Sequence, residues 1–143
     1  MPLNRACAIL FWAKLFTLTK KNSRSDAFFV EDMIIAAENV IEFTHQVSFA
    51  EFEHDYKTAS ATLYNLQIIG EGAGKVSLKI RRKHPEINWR AMKAFRNYLA
   101  HEYFGISLNE VWAVIQKNIP ADLKNLRLIL LEIESSENKK KGK

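Results

Sequence analysis

Apolar residues return every three to four positions along most of this chain, and several of the runs open on a side chain that caps helices. Phe29, Met33, Ile34, Ala37, Val40 and Ile41 form one such stripe, with Ser25 placed to cap it. Ser48-Phe-Ala-Glu51 has the form of a capping box that opens a short helical turn. A long helix is expected from about Tyr56 to Arg82, striped by Ala59, Leu63, Leu66, Ile69, Ala73, Val76 and Ile80. His84-Pro85 breaks the chain, Asn88 can cap a helix from Trp89 to about Tyr103, and Gly105 is placed to end it in a left-handed conformation. Ser107-Leu-Asn-Glu110 is a second capping box, Asn118 and Pro120 restart the chain, and Leu123, Leu126, Ile129, Leu130 and Ile133 make the last stripe. No stretch alternates as a half-buried strand does. The expected fold is all-α, an antiparallel bundle of four to five helices.

Three glycines interrupt the long helix. Gly70, Gly72 and Gly74 each cost about 1 kcal/mol relative to alanine, which suggests close approach by a neighbouring backbone or a local kink. They are no phosphate loop, because the GxxxxGK[ST] spacing after a strand is missing.

At 143 residues and 48% hydrophobic the chain suits one domain with a core of its own. A single cysteine, Cys7, excludes an internal disulfide and any CxxC motif, which fits a reducing, cytoplasmic setting. The apolar run from Ala6 to Leu18 is interrupted by Lys14 and is too short to span a membrane. Residues 1–22 are read as a leader or an additional helix, with a secretion signal or a disordered start as the alternatives, and residues 135–143 as a basic disordered tail. Residues 23–134 then form the helical domain. The net charge of +5 belongs to the ends: five basic residues and no acid lie in 1–24, and four lysines against one acid in 137–143, leaving 25–136 at −3.

One segment can carry chemistry. Arg96 and His101 are five apart on a helix, about 7.5 Å in rise and 140° in rotation, so they can border one groove without stacking. Asn97 and His101 share a face at i and i+4, so the amide can orient the imidazole. Histidine exchanges protons near neutrality, while arginine stabilises charge gathering on phosphorus; together they suffice for RNA cleavage without a metal. One histidine does not readily serve as both acid and base, and a symmetric dimer would supply the second. The competing reading is a pair of half-exposed residues making salt bridges. His45, His54 and His84 form no metal-binding pattern with His101, so neither a metal nor any other cofactor is expected.

The form Arg96-x4-His101-x-Tyr103, followed by Phe104-Gly105-Ile106, resembles the HepT-like branch of the HEPN domains. Ile68-Ile69-Gly70-Glu71, His84-Pro85-Glu86-Ile87-Asn88-Trp89-Arg90, Phe28-Phe29-Val30-Glu31-Asp32, Val111-Trp112 and Ile119-Pro120 fit the same pattern in order, over residues 24–132. The resemblance implies a homodimeric ribonuclease toxin of a type VII-like toxin–antitoxin module, partnered by a minimal nucleotidyltransferase antitoxin. It implies that Arg96 and His101 form the catalytic site with Asn97 supporting. It also implies that Tyr103 accepts AMP from ATP, adding a charge and a bulky group that would repel RNA. Gly72 and Gly74 depart from the family, where better helix formers are usual, and residues 1–22 have no counterpart.

Lys75, Lys79, Arg81, Arg82, Lys83, Arg90 and Lys93 precede Arg96 with Glu86 as the one acid among them. This run is either a solvated helix end or a rim that leads RNA to the motif. Trp89, Phe95 and Tyr98 interleave with it at core spacing, and Trp112 is core or dimer interface. The alternative function is a non-catalytic helical partner of a nucleotidyltransferase, in which Tyr103 is still modified and Arg96 and His101 serve folding or binding.

Overall fold

The computed structural model describes residues 25–102 and 104–142, without the side chains of Lys140 and Lys141. The first 24 residues, read above as a leader or additional helix, lie outside the described residues, and so does Tyr103. Seven helices and no strand occur among the described residues: α1 Asp26–Thr44, α2 Phe49–His54, α3 Tyr56–Lys75, α4 Leu78–Lys83, α5 Trp89–His101, α6 Leu108–Lys117 and α7 Ile119–Lys141. Five of them have ten residues or more, and α2 and α4 are six-residue segments. This is the expected all-α bundle. Helix α1 packs on α3 and α7, α3 carries α5, α6 packs on α7, and α2 touches α3 and α6.

Caps set most of the boundaries. The Ser25 hydroxyl accepts from the Phe28 N–H, and the Ser48–Glu51 box is complete in both directions. The Asp55 carboxylate accepts from the Lys57 and Thr58 N–H groups, and the Asn88 amide oxygen from Ala91 N–H. Such caps satisfy the orphan donors that every helix start exposes. At Ser107 half of the expected box is present, with Glu110 N–H donating to the hydroxyl at 3.4 Å.

Three boundaries differ from the sequence expectation. The long helix stops at Lys75 and restarts at Leu78, because Ser77 turns its N–H and its hydroxyl to the Asp26 carboxylate, each at 2.7 Å. A side-chain partner so close outcompetes one more helical turn. Helix α5 ends at His101, and Gly105 holds no left-handed conformation. The stop comes from Tyr98, whose hydroxyl accepts from Ser107 N–H at 2.9 Å and donates to the Gly105 carbonyl at 3.5 Å, folding the chain back. Residues 135–141, expected as a disordered tail, continue α7 to Lys141. That stretch contains neither proline nor glycine, and its three lysines and one glutamate favour helix.

The core is one cluster built on Val30, Met33, Val40, Phe52, Leu66, Leu99, Val111, Leu126 and Ile129, all at most 3% exposed. Trp112 stacks against Phe49 and Phe52 with ring centroids 6.0 and 5.0 Å apart, seating α6 over α2. Trp89 is buried and donates its indole N–H to the His84 carbonyl at 2.8 Å, fixing where α5 begins.

Candidate active site

Helix α5 is held against α3 by a missing side chain. A Cβ on Gly70 would stand 2.3 Å from the Arg96 Cβ and 2.6 Å from the Met92 carbonyl oxygen, so only glycine lets the two helices come this close. Gly72 makes the same allowance toward α1, where a Cβ would meet Met33 Cγ at 2.4 Å. Gly74 meets nothing nearer than the Lys93 stem, at 3.6 Å. Two of the three glycines are thus close approaches, and no kink is needed to explain them.

The seam fixes Arg96. Its guanidinium Nε lies 3.2 Å from Glu71 Oε2, one residue beyond Gly70, and Nη1 donates to Asn97 Oδ1 at 3.3 Å. The other Glu71 oxygen faces Lys75 Nζ at 3.9 Å. One carboxylate therefore serves two cations, and Nη2 of Arg96 has no hydrogen-bond partner among the described residues. With Nε spent on Glu71, the outer edge of the guanidinium stays open to an anion.

His101 closes α5 and is exposed. It makes no hydrogen bond or ion pair among the described residues, so its ring is free to meet a ligand. The expected Asn97–His101 bond is absent, because the amide oxygen is taken by Arg96. An arginine braced from behind and an unengaged histidine one and a half turns along the same helix make a site that can hold a phosphate and move a proton. Among the described residues, no group of three or more His, Cys, Asp or Glu could hold a metal ion, and no helix is long and apolar enough to cross a membrane.

The family model for HepT-like ribonucleases matches residues 33–129, which contain α5 and everything packed on it. The chain belongs to the HepT-like family. A Methanocaldococcus jannaschii protein provisionally named RNase is 31% identical over 120 residues, 84% of this chain and 97% of the relative. The probable ribonuclease HepT of Thermococcus cleftensis is 38% identical over 98 residues, 68% of this chain and 89% of its own length. A second provisionally named M. jannaschii RNase is 32% identical over 101 residues, covering 71% and 93%. No solved structure matches.

The basic run of this HepT-like chain is less uniform in space than in sequence. Lys79, Arg82, Arg90 and Lys93 are exposed and take no counter-charge among the described residues. Lys75 faces Glu71, and Lys83 is bonded to Glu132 on α7. Arg81 is half-buried, with its Nε lacking a hydrogen-bond partner. Glu86 is therefore not the one acid opposing the run: Glu71 stands one turn before Lys75 on α3, and the fold adds Glu132 from α7. The Lys83 bond holds the Glu132 carboxyl below the usual range, and Glu86 is lowered by its own backbone N–H and by His84. His84 Nδ1 is 2.9 Å from Glu86 Oε1 and Nε2 is 3.3 Å from Glu132 Oε2, which ties the α4–α5 corner to α7.

The aromatic residues of the run divide in the same way. Trp89 is core, while Phe95 and Tyr98 stack on each other, half-buried, with centroids 6.0 Å apart. Sequence reasoning missed Glu71 as a site residue. The one available signal was its place beside Gly70, the glycine that the α3–α5 seam requires.

Proposed function

We propose that this chain is a metal-independent endoribonuclease in which Arg96 and His101 carry the chemistry and Asn97 positions the arginine. The observation that supports it best is the contrast within α5 of the HepT-like family. Arg96 is braced by Glu71 and Asn97 with an edge to spare, while His101 stands exposed and unengaged.

In this reading the RNA phosphate lies against the open guanidinium edge. The ribose 2′-oxygen attacks the adjacent phosphorus and gives up its proton, the bond to the 5′-oxygen breaks, and that oxygen takes a proton from a histidine. The products are a 2′,3′-cyclic phosphate and a 5′-hydroxyl. Arg96 neutralises charge on the phosphoryl oxygens as they crowd around phosphorus. Each chain offers His101 for one of the two proton transfers, and a homodimer placing two α5 helices across one cleft offers the second. Lys75, Lys79, Arg81, Arg82, Lys83, Arg90 and Lys93 form the rim that gathers the strand, chiefly through the four without a counter-charge.

The same reading makes the chain the toxin of a two-component module in the cytoplasm. A cognate minimal nucleotidyltransferase would silence it by transferring AMP from ATP to Tyr103, two residues beyond His101. A negative phosphodiester so close would oppose an RNA phosphate at Arg96.

One observation favours the second reading, a non-catalytic partner of a nucleotidyltransferase: Arg96 already has an anion, Glu71, in its site. The two readings part on one experiment. Purified chain is incubated with labelled RNA in EDTA, and 3′ ends are analysed. Cleavage to cyclic-phosphate ends, lost in His101→Ala, supports the nuclease. Cleavage that survives His101→Ala unchanged removes His101 from the chemistry. Incubation with the cognate nucleotidyltransferase and ATP, read by intact mass, tests Tyr103 separately.

A further inference from the structure

At the edge of the seam, a cleft of about 480 Å³ opens between α5 and the junction of α6 and α7, with Gly70 and its α3 neighbours at its back. Its inner wall is apolar, made by Leu66, Ile69, Met92 and Phe95. The facing wall is the first two turns of α7, where Asn118, Asp122 and Asn125 repeat at i, i+4 and i+7 and so point the same way. None of these three side chains has a hydrogen bond or ion pair among the described residues. Asn118 stands at the start of α7 yet does not cap it, and Asp122 and Asn125 are half-buried. A row of amide, carboxylate and amide with no internal partner, set opposite an apolar wall, is the composition of a ligand site.

We propose that this cleft receives a guanine base of the RNA, with Asp122 accepting from the N1–H and the exocyclic amine. The inference rests on the ribonuclease reading, since Phe95 lines the cleft and adjoins Arg96 on α5, and Gly70 touches both. Four points select the occupant. The carboxylates of Asp122 and Glu86 outnumber the one cation at the cleft, Lys117, which excludes a phosphate and directs the RNA backbone elsewhere. An apolar wall asks for a flat neutral face rather than a buried cation. Among the bases only guanine offers two adjacent N–H donors on its Watson–Crick edge, matching the two carboxylate oxygens. The amides of Asn118 and Asn125 flank that carboxylate with both donors and acceptors. Burial already lifts the Asp122 carboxyl from an ordinary 3.8 to about 6, and two donors relieve that desolvation.

The test needs no cleavage. Full-length chain is titrated at pH 7.5 with GMP, IMP, AMP and CMP, and binding is followed by NMR. GMP is expected to bind about tenfold or more tightly than IMP, which lacks the amine, and AMP and CMP are expected to be weaker still. Asp122→Asn should abolish the preference for GMP over IMP while its thermal melt remains cooperative. Equal affinity for all four nucleotides, or a GMP preference that survives Asp122→Asn, overturns the proposal. So does binding of arginine amide in the cleft without binding of any nucleotide, which would assign it to a protein partner. Because binding is read apart from cutting, a GMP preference in a chain that cleaves no RNA supports the cleft and sinks the nuclease reading. RNA cleavage with no nucleotide preference does the reverse.

Discussion

Helix α5 has two sides of opposite character. Against α3 it is closed: Gly70 removes a side chain so that Arg96 and Met92 can sit directly on the neighbouring backbone. Toward α6 and α7 it gapes, leaving a cleft whose polar wall has no internal partners. The closed side holds Arg96 still, while Asp122 on the open side and His101 at the helix end have no side-chain partner among the described residues. Rigidity and availability are thus separated by rotation around one helix, and substitutions on the two sides should fail in different ways.

The largest effect belongs to the free end. His101→Ala is expected to slow RNA cleavage about 10²- to 10⁴-fold with no change in melting temperature, since the ring has no partner among the described residues. A matched fall in stability would show that His101 is structural, and the contrast would collapse. Next comes the closed side. Gly70→Ala drives a methyl into backbone and Cβ atoms that cannot swing away, so it should cost about 3 kcal/mol or more in denaturant unfolding. Gly72→Ala meets Met33 Cγ and Sδ, on an unbranched side chain that can turn aside, with the nearest backbone atom at 3.3 Å, and should cost less. Equal losses at 70 and 72 would mean that the α3–α5 seam is nothing special.

Smaller is the signature of the open side. The Asp122 carboxyl titrates higher in the folded chain than its ordinary 3.8, so the folded state holds that proton longer. Its contribution is therefore favourable at low pH and is lost as pH rises from about 4 to about 6. Asp122→Asn should escape this loss and be more stable at pH 7.5 by about 1–2 kcal/mol, discounted for partial exposure. At pH 4 the two proteins should converge, and a gap that ignores pH would remove burial as the cause. The smallest change is Gly74→Ala. With only the Lys93 stem nearby, it should stabilise by about 0.5 kcal/mol through helix propensity, the opposite sign to Gly70→Ala.

The helices were legible because their information is local. Ser25, Ser48, Asn88 and Ser107 cap where the pattern of apolar residues says they should. What was hidden came from partners distant in sequence. Nothing near Ser77 announces the Asp26 carboxylate 51 residues away that splits the long helix. Likewise Tyr98 reaches nine residues on to Ser107 and takes over the stop that Gly105 was expected to provide. Arg96 and His101 could be picked out by spacing and resemblance, but Glu71 could not, because the pairing exists only once α3 and α5 are packed. The basic run was misjudged for the same reason: Glu132 joins Lys83 across 49 residues. Asp122 carries no signal in the sequence, because the cleft around it forms only once α3, α5, α6 and α7 are packed.

Glu71 sits between Arg96 and Lys75 as a counterion that the chain carries with it. Lying behind the guanidinium, it offsets part of the charge that an anion would meet at the outer edge, without having to leave. On the proposed reading a lone phosphate or acetate would gain little from that edge alone, whereas a strand touching the basic rim at several points would add contacts elsewhere. The tethered carboxylate would then act as a filter on ligand length, weakening the site for small anions more than for a polyanion.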